Sequence, residues 1–383
     1  MRVVIVDARE WQNQFDLETG EKTHVDGPLI DRVSGVLSRH PYPGDVHGLS
    51  NRWVTDTALD LIDQHGPRFV FLSYAQQYFF TRFNAVSADE RRSLIAEVFL
   101  EVARFVEKSG FTPFILGTGD MVPFKGFIDV SRLDGLAITA HWSGRYAGLH
   151  DPSDRDLNHL RGQPHIEAII SKKDWMAIAV SPLAAVDRIP DYLLLSEPGW
   201  VFKSVGTPLR SPGWLPAPSF RIPYRTPLGI VEDLTRICSA VEAWRNEAPI
   251  ALIVLEGIGM ADFPGPFAEC QNSLDWYYYV PGEAQYLTLC TGAHSLFSYP
   301  AGYKFSKEEE KRQRFPFSGF ITALPENTLC DRIHAGSIAV GNRSMFMHTM
   351  TGADIAVECF ARNLYNQGTM AAIRLDKNIN LFR

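Results

Sequence analysis

Cysteine is scarce. The 383-residue chain holds five, Cys238, Cys270, Cys290, Cys330 and Cys359, and no CxxC pair. That excludes a disulfide-stapled fold and a cysteine-held zinc, and it reads as free, partly buried thiols in a reducing cytoplasm. No run approaches 18 apolar residues, so no membrane span is expected. The opening MRVVIVDA meets Asp7 at once and offers no cleavage site, so no signal peptide is expected. Long basic runs are missing too. Net charge is −7, and in KEEEKRQR, Lys307 to Arg314, acids offset bases. Nucleic acid is not an expected partner. There is no Walker loop and no G-x-G-x-x-G: Gly257-Ile258-Gly259 lacks the third glycine. No repeat or low-complexity tract occurs.

What is present is ordinary for a globular protein: 45% hydrophobic and 21% charged residues. The length allows one large α/β domain or two ordinary ones. Arg2 to Val6 reads as a buried strand. Trp53 to Gln64 has helical spacing, with Val54, Leu59, Leu61 and Ile62 on one face, and Gly66-Pro67 stops it. Arg68 to Tyr74 is a second strand. Ser87 to Ser109 is a long amphipathic helix opened by a capping box, SADE, and closed by Gly110. Phe111 to Leu116 is a third strand. His165 to Ile170, Ala177 to Val180 and Tyr192 to Leu195 read as short elements. Ser204 to Pro227 holds six prolines and reads as a surface loop or linker. Pro227 to Glu247 reads as a helix, and Ile250 to Leu255 as a buried strand. Asp275 to Val280 and Gly336 to Val340 read as strands, and Ala353 to Asn366 as a helix.

Alternation of strands and helices predicts βαβ units, a mainly parallel central sheet flanked by helices, and strand ends Asp7, Tyr74 to Gln77 and Gly117 to Asp120 on one rim. Asp7 is a candidate metal ligand or base there. Asp120 is a candidate for chemistry because the glycines around it permit close approach by a ligand. His141 and His150 bracket HWSGRYAGLHD; with Asp151 and Asp154 they can form a mononuclear metal site. Arg145 between them can hold a phosphate or carboxylate.

Four passages in order carry a family resemblance. They are WVTDTALDLIDQHGPRFVFLSY, SADERRSLIAEVFLEVARFVEKSG, FTPFILGTGDMVPFKGFIDV and PDYLLLSEPGWVF. Residues 53 to about 203 resemble the central part of type I phosphodiesterase/nucleotide pyrophosphatase proteins of the alkaline phosphatase superfamily. The resemblance implies an alkaline phosphatase-like fold and two metal ions, commonly zinc, held by Asp and His. Asp7 matches the first ligand in position. The departures are specific. Where an Asp and a His should follow RFVFLSY, Gln76 and Gln77 stand. Aligned on Met121, the family's Asp-His pair falls on Thr118 and Gly119, and Asp120 takes the glycine position. The late His-Gly is replaced by SVGTPLRSPG. Two adjacent divalent ions need several carboxylates and imidazoles, so an intact two-zinc site is not expected.

Other groupings are weaker. LEGIGMADF resembles a first family strand with Glu256 in place of aspartate, which invites a permuted arrangement using Thr288 or Thr291 and His294. Ser344, His348 and Asp354 are close only in sequence. The expected organisation is an alkaline phosphatase-like α/β core over residues 1–203, a proline-rich loop or linker over 204–226, and a second α/β portion over 227–383, either separate or completing the same sheet. The expected function is that of a hydrolase or transferase on a small phosphate- or carboxylate-bearing molecule. Asp120 and His141 would be catalytic, Thr118, Gly119 and Arg145 would bind substrate, and Asp7, His141, His150 and Asp151 would hold a divalent metal, zinc or manganese. The alternative is a catalytically degenerate protein that binds a ligand or partner. An aromatic content of 12% is compatible with a homo-oligomer interface.

Overall fold

The six apolar residues Ile250–Leu255 are buried along their whole length, which requires a sheet neighbour on each edge and cover on each face. A computed structural model shows the edge partners. It describes residues 2–7, 14–15, 35–36, 38–44, 46–139, 145–178, 190–203, 213–282, 285–286, 288–289, 292, 294, 338–341, 355–358 and 370–374. For 2–7, 14–15, 338–341, 355–358 and 370–374 only the backbone is described.

Ten strands form one mixed sheet. They are β1 (Arg2–Asp7), β2 (Gln14–Phe15), β3 (Phe69–Tyr74), β4 (Thr112–Gly117), β5 (Arg221–Arg225), β6 (Ile250–Leu255), β7 (Ala268–Gln271), β8 (Ile338–Gly341), β9 (Ile355–Glu358) and β10 (Met370–Arg374). Their order is β7-β5-β4-β6-β3-β9-β8-β1-β10-β2. From β4 across to β1 all neighbours are parallel. At one side β5 runs antiparallel to both β4 and β7. At the other, β10 runs antiparallel to β1 and pairs in parallel with β2. Leu255 stands opposite both Tyr74 and Gly117, so the carboxyl ends of β3, β6 and β4 meet at one level of the rim. Strands from both halves of the chain interleave in this sheet.

The helices α1 (Ser50–His65), α2 (Gln76–Phe83) and α3 (Ala88–Ser109) follow the order of the chain around β3. α3 forms because its start is capped reciprocally: the Ser87 side chain accepts from the Glu90 N–H, and Glu90 reaches back to the Ser87 N–H. Left-handed Gly110 ends it. Val54, Ala58 and Leu61 of α1 join Ile95, Val98, Val102 and Phe105 of α3 in one cluster with Val70, Leu72, Ala251 and Ile253 of the sheet. α4 (Asp154–Arg161), α5 (Lys172–Ile178) and α6 (Ile237–Trp244) come later.

A second, four-stranded antiparallel sheet has the order Leu136–Thr139, Tyr146–His150, Tyr192–Ser196, Ile166–Ser171. Its cluster includes Ala147, Leu149, Leu157, Leu160 and Leu194.

Several expectations are corrected. The helix foreseen over Ala353 to Asn366 holds β9 at Ile355–Glu358; the β-branched Ile355 and Val357 stand two apart, the strand period, and occupy the slot between β3 and β8. The helix foreseen from Pro227 begins only at Ile237, because Asp233 caps a 3₁₀ turn at Leu234–Arg236 just before it. Ala177 and Ile178 end α5 and are not a strand. The proline-rich stretch contributes β5 to the sheet, and Pro223, which has no N–H to donate, stands opposite Glu269 there. α2 went unforeseen; its aromatic run Tyr78, Phe79, Phe80 hides the helical period. Among the described residues no helix is long and apolar enough to cross a membrane. Cys238 and Cys270 are buried and form no disulfide; burial pushes the Cys270 thiol up to about 12, which keeps it protonated and unreactive.

Candidate functional site

The rim is built from two turns that interlock. Gly117-Thr118-Gly119-Asp120 leaves β4, and Glu256-Gly257-Ile258-Gly259 leaves its neighbour β6. The Gly257 N–H donates to Thr118 Oγ1 (2.8 Å), and that hydroxyl donates to the Leu255 carbonyl (3.3 Å). The Gly119 N–H donates to the Ile258 carbonyl (3.2 Å). Gly119 has φ +133°, a conformation that a side chain would strain. Thr118 is buried, so its hydroxyl ties the turns together.

Asp120 is held from several sides. Its N–H donates to Ser219 Oγ (2.9 Å), and its carbonyl accepts from the Ala217 N–H (2.8 Å). Its Oδ1 accepts from the Ala261 N–H (3.1 Å). Partial burial raises its carboxyl pKa, and the nearby Asp262 adds to the rise; the Ala261 and Met260 amides and Arg91 act against it. Arg91 pairs with Asp262 (2.5 Å), donates to the Gly257 carbonyl (3.0 Å), and lies over the Trp214 ring at 4.9 Å.

Deeper in, Glu256 is wholly buried. Its Oε1 accepts from the Tyr286 hydroxyl (2.6 Å). With that proton committed, Ser73 Oγ donates to Tyr286 (3.0 Å). Gln77 Nε2 donates to the Tyr74 (2.7 Å) and Glu256 (2.8 Å) carbonyls, while the Asn51 amide donates to the oxygens of Gln76 (3.3 Å) and Gln77 (3.1 Å). Gln285 Nε2 donates to the Thr118 carbonyl and to Asn272 Oδ1, both at 2.9 Å, and Asn272 Nδ2 donates to the Ser219 (2.8 Å) and Tyr279 (2.9 Å) carbonyls. The donors at the positions where the family resemblance places metal ligands are thus two amides, a hydroxyl and a glycine, and the side chains of Gln77 and Thr118 are already engaged. That set does not fit a two-metal centre. Among the described residues no group of three or more His, Cys, Asp or Glu stands where it can hold a metal ion.

The sequence candidates divide into separate places. Thr118, Gly119 and Asp120 come together at the rim. Asp7 ends β1, with β8, β9, β3 and β6 between it and β4. At about 4.8 Å per strand this separates the two positions by about 24 Å, beyond the reach of two carboxylates on one ion. His150 ends a strand of the second sheet, and Arg145 and Asp151 flank that strand. Arg145 is buried and donates to the Ser196 carbonyl and to Glu167 Oε2 (2.6 Å), with its guanidinium 5.0 Å from the centre of the Tyr278 ring. His150 pairs with Leu136 in the ladder. Asp151 is left-handed at φ +47°, and its N–H donates to Asp191 (2.7 Å). Asp154 opens α4, where Ser153 and Asp156 form the capping box. His141, Thr291, Ser344, His348 and Asp354 lie outside the described residues. Thr288 is buried, and His294 Nδ1 meets the Tyr279 hydroxyl at 3.0 Å.

Sequence reasoning missed Asn51, Ser219, Asn272, Gln285 and Tyr286. Their pairings cross up to 213 residues of chain, and none carries a local motif. A scan of protein-family models finds no match, and no curated protein sequence is significantly similar to the chain.

Proposed function

We propose that this chain is a catalytically degenerate relative of the phosphodiesterase/nucleotide pyrophosphatase proteins, of alkaline phosphatase-like architecture. It would bind a small phosphate- or carboxylate-bearing molecule at the strand-end rim without two-metal hydrolysis. The supporting observation is that Gln77 and Thr118, at positions where that chemistry needs ligands, spend their polar atoms on the backbone of the β3, β6 and β4 ends. Side chains committed in this way stabilise the turns, and neutral amide and hydroxyl oxygens supply none of the negative charge that a metal pair needs. The half-buried Asp120 beside Asp262 and Arg91 is the polar part of the rim that remains open to a ligand.

One observation favours a second reading, a hydrolase or transferase. Burial raises the Asp120 carboxyl, which moves it toward the range where a carboxyl serves as a general acid or base near neutrality. A divalent zinc or manganese ion belongs to that reading. Metal analysis of the purified protein, with hydrolysis of bis-p-nitrophenyl phosphate, separates the two. The binding reading expects no turnover in added zinc or manganese. About two bound ions per chain together with turnover, abolished in Asp120→Asn, would overturn it.

A further inference from the structure

Among the described residues, two of the buried polar groups that lack a hydrogen-bond partner belong to one stack of side chains. Arg145 is 2% and Tyr278 1% exposed. The Arg145 Nε–H and the Tyr278 hydroxyl are each without a partner, although the guanidinium lies over the Tyr278 ring. Other groups of the stack have partners. Arg145 Nη1 and Nη2 go to the Ser196 carbonyl and to Glu167. The neighbouring Tyr146 hydroxyl donates to the Tyr278 carbonyl (3.0 Å), and its ring stacks on Tyr277 at 5.7 Å. Burial raises the Tyr146 and Tyr277 hydroxyls, so these rings carry no negative charge that answers the arginine. Buried polar groups are rarely left unmade, because desolvation then goes uncompensated. Two such donors, on the two residues of one cation–π contact, call for an oxygen acceptor.

This place adjoins the rim. Asp120 bonds to Ser219, Phe220 follows Ser219 in the chain, and the Phe220 ring lies 5.0 Å from Tyr278. Phe220 is 47% exposed, so an apolar ring lies at the surface between Asp120 and the stack. Asn272 links the same elements, through the Ser219 and Tyr279 carbonyls.

We infer that Arg145 Nε and Tyr278 Oη form an anion subsite that takes a phosphate or carboxylate oxygen of the bound molecule. This rests on the ligand-binding reading above and assigns the anionic end of the ligand. Arginine suits the task because its planar donors keep a fixed geometry while two of its nitrogens are anchored. Glu167, 44% exposed at its side chain, shares the guanidinium and competes with the incoming anion, so the affinity for a lone anion is modest and rises when this carboxylate is removed.

The test measures melting of the full chain against inorganic phosphate, and separately against acetate, at constant ionic strength so that screening is held fixed. A saturable rise in Tm is expected. Tyr278→Phe should weaken the apparent affinity about tenfold, with an unliganded Tm equal to or above that of the wild type, since the lost hydroxyl has no partner. Arg145→Lys should weaken it at least as much. Glu167→Gln should strengthen it. If phosphate acts and acetate does not, the subsite takes a phosphoryl group; the reverse assigns a carboxylate. A rise in Tm that Tyr278→Phe and Arg145→Lys leave intact overturns the subsite while the ligand-binding reading stands. No rise with either anion overturns the subsite as well, and metal content with phosphodiester turnover then judges the wider reading independently. A marked fall in unliganded Tm for Tyr278→Phe would show that the hydroxyl has a structural partner, which also overturns the proposal.

Discussion

The turns Gly117-Thr118-Gly119-Asp120 and Glu256-Gly257-Ile258-Gly259 leave neighbouring parallel strands, and each contains two glycines and one carboxylate. They differ in where the carboxylate comes. In the β6 turn it comes first, directly after the last buried strand residue, and is carried inward to Tyr286. In the β4 turn it comes last, beyond Gly119, and stands half-buried at the rim. The same local composition thus produces an interior structural acid in one turn and a surface acid in the other. The position of the acid relative to the strand end decides which; its presence beside glycine does not.

The interlock of the two turns is the most breakable part of the comparison. A Cβ on Gly259 would overlap the Asp120 carboxylate and its backbone nitrogen. Backbone cannot swing aside as the end of a flexible side chain can. Gly259→Ala is expected to destabilise by about 3 kcal/mol, read as a lowered urea midpoint at unchanged slope. An unaltered midpoint would mean that the turns do not bear on each other.

The inner acid gives the next largest effect. Tyr286→Phe removes the donor to Glu256 Oε1 and the acceptor for Ser73. The buried oxygen is left with one fewer donor, so a loss of about 2 kcal/mol is expected. Pairing it with Glu256→Gln should lessen the combined penalty below the sum of the single ones, because each change alters the same hydrogen bond. Strict additivity would dissociate Tyr286 from Glu256.

This difference between the turns also marks how far the sequence could be read. The strands Ile250–Leu255 and Phe69–Tyr74 and the capping box at Ser87 and Glu90 are local signals, and their elements stand where apolar runs and caps put them. β9 was legible only in part: Ile355 and Val357 have the strand period of two, but nothing local marks the slot beside β3 that they enter. The β4 turn was legible as a rim turn because it follows a buried strand. Its partners were not: Ser219, Gln285 and Asn272 come from distant loops with no spacing rule. Arg145 was legible as a charge in a glycine-containing loop, but its stacking on Tyr278 depends on how the second sheet meets the 273–278 hairpin.

The smallest effect concerns the outer acid and is separable by pH. The folded carboxyl of Asp120 titrates above its ordinary value, chiefly through burial. The folded state therefore holds this proton more tightly than the unfolded chain. Through linkage, the group favours folding below its unfolded pKa, and that advantage is lost as pH rises through the folded value. Asp120→Asn keeps an oxygen that can accept from the Ala261 N–H and removes the charge. Its stability relative to the wild type should therefore improve as pH rises from about 4 toward neutrality, by about 1 kcal/mol or less because the site is only partly buried. Urea unfolding of both proteins across that range measures the difference directly. A variant that instead loses ground steadily with rising pH would show that the Arg91 guanidinium and the turn amides outweigh burial, which would place Asp120 among the low-pKa structural acids rather than at a site prepared for a ligand.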